Sequence, residues 1–131
     1  MKSFRILISF ILVIIISCSS SKDTYESLSE EMLDVFEEIT VIIDNATDEL
    51  AVKESIAKLN ELNDKMENLT SRMGEISELD DAAKEFLKSS DYEERFKNVL
   101  SNLFKSTISI SDKSYGKDIM DALTNILNPN K

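Results

Sequence analysis

Apolar residues from Tyr25 to Ala46 recur at a helical period. Tyr25, Leu28, Met32, Val35, Ile39, Ile42 and Ala46 are spaced by threes and fours. Phe36 and Ile43 widen the stripe on one side, so it is broader than a strict coiled-coil seam. The pattern predicts a first helix from about Thr24 to Asp44, with Ser27 and Glu30 placed for a capping box. Ile39-Thr40-Val41-Ile42-Ile43 is β-branched throughout and favours a strand on propensity. The stripe runs through it, and that favours helix.

Asp44-Asn45-Ala46-Thr47 breaks the pattern, and Thr47 is placed to cap a second helix running to about Met73. Its apolar face is Ile56, Leu59, Leu62, Met66, Leu69 and Met73. Its polar face carries Glu49→Lys53, Glu54→Lys58 and Glu61→Lys65, each in the favourable i,i+4 order. Gly74 fits the residue just past a helix end, or else an internal glycine costing about 1 kcal/mol. The first is favoured, because Ser77 with Asp80 restarts a cap. A short third helix is expected from about Glu78 to Lys88, with Leu79, Ala83, Phe86 and Leu87 on its apolar edge. Ser90 with Glu93 offers another capping box. A fourth helix, about Asp91 to Ser109, carries Tyr92, Phe96, Val99, Leu100, Leu103 and Phe104. Thr107 to Ser111 alternates like a strand but has no partner strand, so it reads as a fraying helix end. Asp112 to Gly116 is a loop, and a last helix runs from about Lys117 to Leu127, stopped by Asn128-Pro129. No tandem repeat is evident. Four to five helices with short connections predict an all-α, antiparallel bundle.

The first eighteen residues follow another order. Lys2 and Arg5 precede Ile6–Ile16, which is apolar except for Ser9, and Ile15-Ile16-Ser17-Cys18 then leads into Ser19-Ser20-Ser21-Lys22. A basic start, a short apolar run and a small residue before a cut make a secretory signal. With cysteine directly after that small residue, the stretch resembles a bacterial lipoprotein signal with its lipobox. The resemblance implies diacylglycerol on the Cys18 thiol, cleavage after Ser17 and acylation of the new amino group. It also implies a place in the cell envelope. Ser19 stands where an aspartate would favour the inner membrane, which points to the outer membrane facing the periplasm if the cell is Gram-negative. An uncleaved span is the first competitor, but eleven residues fall short of the about twenty that a spanning helix needs. A buried thiol is the second, yet Cys18 lies on no amphipathic face. It is also the chain's single cysteine, so no internal disulfide can form.

The expected organisation is a signal peptide at 1–17, lipidated Cys18 and a short tether at 18–23, and an acidic helical domain at 24–131. The 114 residues left after removal of 17 from 131 suffice for one domain with a modest core. Loss of Lys2 and Arg5 takes the net charge from −10 to −12. Such a surface repels nucleic acid and anionic headgroups, so no nucleic-acid partner is expected and acyl chains must provide the membrane contact.

Histidine is absent, which removes the usual general base and the commonest metal ligand. No phosphate loop or nucleophile elbow is present, so neither an enzyme nor a cofactor is expected. The unusual stretch is Asp23–Val52, with ten acids and no Lys or Arg. Glu30, Asp34, Glu37 and Glu38 line the polar side of the first helix. They read as a docking face for a basic partner, as a weak Ca²⁺ or Mg²⁺ site, or as plain solvated surface balanced by Lys84, Lys88, Arg95, Lys97 and Lys105. The Asp44–Glu49 run lacks the glycine and spacing of a calcium loop, and no metal is assigned. Tyr92, Phe96 and Phe104 are expected in the core, or else around a pocket. Met32, Met66, Met73 and Met120 read as gap-fillers in the stripes. The start Thr47-Asp48-Glu49, followed by Leu59, Leu62 and Leu69, loosely resembles uncharacterised small helical secreted proteins of bacteria, which implies no activity. The leading expectation is a lipid-anchored, non-enzymatic protein that binds another envelope protein. The alternative is a bundle with a small molecule or lipid between the helices bearing Phe96 and Met66.

Overall fold

A computed structural model describes residues 24–76 and 78–128. The expected leader with Ile15, Ile16 and Ser17, the expected lipidated Cys18 and tether, the expected cap residue Ser77 and the expected stop at Pro129 lie outside the described residues. Among the described residues the chain forms five helices and no strand. They are α1 (Tyr25–Asn45), α2 (Glu49–Gly74), α3 (Asp81–Lys88), α4 (Ser90–Ser111) and α5 (Gly116–Leu127). None is long and apolar enough to cross a membrane.

Four helices start at a side-chain cap, each close to the position the sequence suggested but not on it. Thr24 is extended and accepts from Ser27 N at 3.1 Å, while Ser27 Oγ accepts from Thr24 N at 3.3 Å. That box takes the place of the expected Ser27–Glu30 pair, because α1 begins at Tyr25, as the pattern predicted, and Ser27 is then its third residue. Asp48, not Thr47, caps α2, and Asp80 caps α3. Ser89, not Ser90, opens α4: its hydroxyl accepts from Tyr92 N and also donates to Phe86 O at 2.7 Å. One side chain thus closes α3 and opens α4, satisfying end groups on both sides of the corner. Gly74 lies inside α2 rather than past it, and Glu75 takes the cap position.

The stripes meet in one core. Leu28, Val35, Ile39 and Ile43 of α1 pack with Leu59, Leu62, Met66 and Leu69 of α2. Leu103 and Ile110 of α4 join them, as do Ile119, Leu123 and Ile126 of α5. The β-branched cluster is helical, with Ile39 and Ile43 turned inward and Val41 outward. Each such burial contributes roughly 1.5–3 kcal/mol. An exposed ion pair adds a fraction of that, so the stripes set the fold and the charges adjust it.

Contacts between polar side chains show the helix directions. Glu31 faces Arg72 and Glu38 faces Lys65, so α2 runs back along α1. Asp34 meets Arg95 and Asp44 meets Ser106, so α4 advances with α1. The packed pairs are α1 with α2 and α4, and α5 with α2 and α4. The chain alternates up and down, but α1 and α4 are parallel neighbours rather than antiparallel ones. The short α3, packed on α1 and α4, carries the chain from the end of α2 to the start of α4 at the same end of the bundle. At the other end, the Tyr115 hydroxyl donates to Thr47 O at 2.8 Å and ties the α4–α5 turn to the α1–α2 turn.

Candidate functional site: the acidic face of α1

Glu30, Asp34, Glu37 and Glu38 are exposed on one side of α1, at the i+3 and i+4 spacings that place side chains together. The structure gives three of them neighbours. Arg95 Nη2 donates to Asp34 at 2.6 Å and to Glu37 at 3.3 Å. Lys65 lies 3.5 Å from Glu38. Glu30 has no ion pair among the described residues. The bond to Asp34 raises the Arg95 pKa, with Glu37 adding to it and partial burial opposing.

The balancing cations differ from those expected. Of Lys84, Lys88, Arg95, Lys97 and Lys105, Arg95 alone is paired with α1; Lys84 pairs with Asp81 and Lys97 with Glu93 on their own helices. Lys65 and Arg72 of α2 supply the rest. Lys65 therefore leaves Glu61, its expected i−4 partner, for Glu38 across the helix pair. Helical spacing finds partners within a helix, and these lie across one.

Between α1 and α2 lies an open groove of about 710 Å³. Its apolar lining is Val41, Ile42 and Leu62; its charged lining is Asp34, Glu37, Glu38 and Glu61, with Lys58 the one cation. Lys58 is paired with Glu54 at 3.2 Å. Val41 is 57% exposed, an aliphatic side chain turned to solvent among carboxylates. The four acids are exposed on the polar side of the helix, as the spacing suggested; Val41, outside the apolar stripe, lines a groove that the pattern of one helix does not reveal. The arrangement suits a ligand with an apolar side flanked by positive charge.

The other candidates have structural employment. Asp44 accepts from Ser106 at 2.5 Å and Asp48 caps α2, so the Asp44–Glu49 run is committed to the bundle. No group of three or more metal-ligating side chains occurs among the described residues. Tyr92 stacks between Phe86 (centroids 4.7 Å) and Phe96 (6.1 Å), joining α3 to α4. Phe96 and Phe104 are not core, being 39% and 67% exposed; Val99, Leu103, Ser106 and Ile110 form the buried side of α4. The apolar stripe of α4 is wider than the side its partners cover, so its outer edge stays exposed. Met66 is buried on α2 while Phe96 is partly exposed on α4.

No protein family, no curated protein and no solved structure matches this chain.

Proposed function

We propose that this chain is a lipid-anchored envelope protein without catalytic activity, whose helical domain docks another protein through the acidic side of α1. The observation that carries the anchor is the order Ile15-Ile16-Ser17-Cys18 after a basic start and a short apolar run. Two or more acyl chains hold an acidic body that a bilayer surface would otherwise repel. The groove between α1 and α2 supports the docking role: its apolar lining gives affinity and its carboxylates select a basic partner. The grooves of the described structure are open to solvent, which suits a protein surface better than an enclosed small molecule.

The anchor is tested by Cys18→Ser with fractionation and mass spectrometry. The processed wild-type chain should carry acyl groups and sediment with membranes; a processed chain without them defeats the anchor. The docking face is tested separately, by charge reversal at Glu30 and Glu61. Neither has an ion pair among the described residues, so reversal leaves the interhelical pairs intact. Capture of a partner from crosslinked envelopes should be lost in the reversed chain, and unchanged capture removes the reading.

A further inference from the structure

One face of α4 is as unpartnered as the groove on α1 and α2. Phe96, Leu100, Phe104 and Ile108 follow at i+4 steps and form a ridge, with Phe104 67% and Ile108 50% exposed. From Phe96 to Ser111 this helix holds Lys97 and Lys105 and no acid, in a chain of net charge −10. The ridge is thus apolar with two lysines along one side, and the groove is apolar with carboxylates around it.

The two also share a spacing. Glu30 and Val41 are eleven residues apart on α1, as Lys97 and Ile108 are on α4. Eleven residues make close to three whole turns, so on parallel helices each pair returns to one face and spans about 16 Å. The register that sets Lys97 beside Glu30 therefore also sets Ile108 beside Val41. Within the protomer α1 and α4 already pack parallel, with a cation of α4 on carboxylates of α1. Lys105 has no ion pair among the described residues, and Lys97 is held by Glu93 in an exposed pair that exchanges easily.

The geometry points to a second copy of this chain as the occupant of the groove: the α4 ridge of one copy lies in the α1–α2 groove of the next. This names a partner for the docking face proposed above and rests on that reading. The contact is heterologous, so it repeats into a ring or an open row. With α4 parallel to the α1 it docks on, every copy keeps the Thr24 end of its bundle on the same side. That is the condition for all copies to be anchored in one membrane.

The test is disulfide crosslinking of the full chain in envelopes, using Val41→Cys and Ile108→Cys on two differently tagged copies. Both positions are exposed, so neither change empties the core. Co-expression should give a Val41→Cys to Ile108→Cys heterodimer, and each variant alone should give none. Glu30→Lys and Lys97→Glu should each lower the yield severalfold, and the chain with both should recover it. Homodimers of Ile108→Cys alone would show ridge packed on ridge, and would overturn the proposal. So would absence of any crosslink. If envelope capture by the wild type still fails on charge reversal at Glu30 and Glu61 while no such crosslink forms, the docking face stands and its occupant is a different protein.

Discussion

Arg95 on α4 bonds Asp34 on α1 at 2.6 Å and reaches Glu37 with the same nitrogen at 3.3 Å. One guanidinium thereby fixes the register of two parallel helices that no short loop joins. The planar fork suits two carboxylates better than a lysine would. The Arg95 side chain is 36% exposed, so solvent screens the pair and its share of stability is small. Arg95→Met should cost about 0.5–1 kcal/mol in urea unfolding, and a double-mutant cycle with Asp34→Asn should return a coupling within that range. A loss above about 3 kcal/mol would mean a buried pair, contrary to the exposed geometry.

The two glycines make opposite predictions. A Cβ on Gly116 would meet Ile110 O at 1.9 Å, a backbone atom that cannot step aside. Gly116→Ala should therefore destabilise by about 1–3 kcal/mol, by forcing α5 away from the end of α4. Nothing lies within 4 Å of a Cβ on Gly74, and neither glycine has a positive φ. Gly74→Ala should stabilise by about 0.4–1 kcal/mol by narrowing the unfolded ensemble. Calorimetry of both variants checks the signs: a lower Tm for the first and a higher Tm for the second.

The helices were legible because their apolar residues keep one period for several turns, as Leu59, Leu62, Met66 and Leu69 do on α2. Their neighbours were not. Nothing local in the sequence says that α4 lies beside α1, and so nothing says that Arg95, Lys65 and Arg72 are the cations that meet the acids of α1. The core side of α4 was half legible for the same reason. A stripe holding Val99, Leu100, Leu103 and Phe104 is wider than the side its partners cover, so one edge of it stays wet. Caps slipped because Thr, Ser and Asp crowd each helix start, and the residue with extended backbone is the one that caps. The proposed leader and anchor rest on the composition and order of residues 1–18 alone.

That division of α4 has a direct consequence for mutation. Leu103 is 9% exposed and sits in the common core, while its neighbour Phe104 is 67% exposed. Leu103→Ala should cost about 2–5 kcal/mol. Phe104→Ala, although it removes more atoms, should stay within about 0.5 kcal/mol, as surface changes do. Equal losses in chemical denaturation would show that the ridge is part of the core and not a docking surface.

Two ion pairs in the first turns of helices respond to opposite ends of the pH scale. On α4, Lys97 donates to Glu93 and holds its carboxyl below the ordinary value, first through the hydrogen bond and then through charge. A depressed carboxylate favours folding above its unfolded pKa, and the benefit fades as pH falls through the folded one. On α5, the bond from Lys117 to Asp121 raises the lysine above its ordinary value, with charge adding to it. That contribution is complete below the unfolded pKa and is lost as pH rises through the raised one. The first turn of α4 should therefore loosen in acid and that of α5 in alkali. Carboxyl-carbon NMR should place the Glu93 titration below that of a free glutamate, and Lys97→Met should move it back up. Nitrogen-detected titration of Lys117 should fall toward the free lysine value in Asp121→Asn. A Glu93 curve unmoved by Lys97→Met would assign its shift to the helix N-terminus instead, where the dipole also favours a carboxylate.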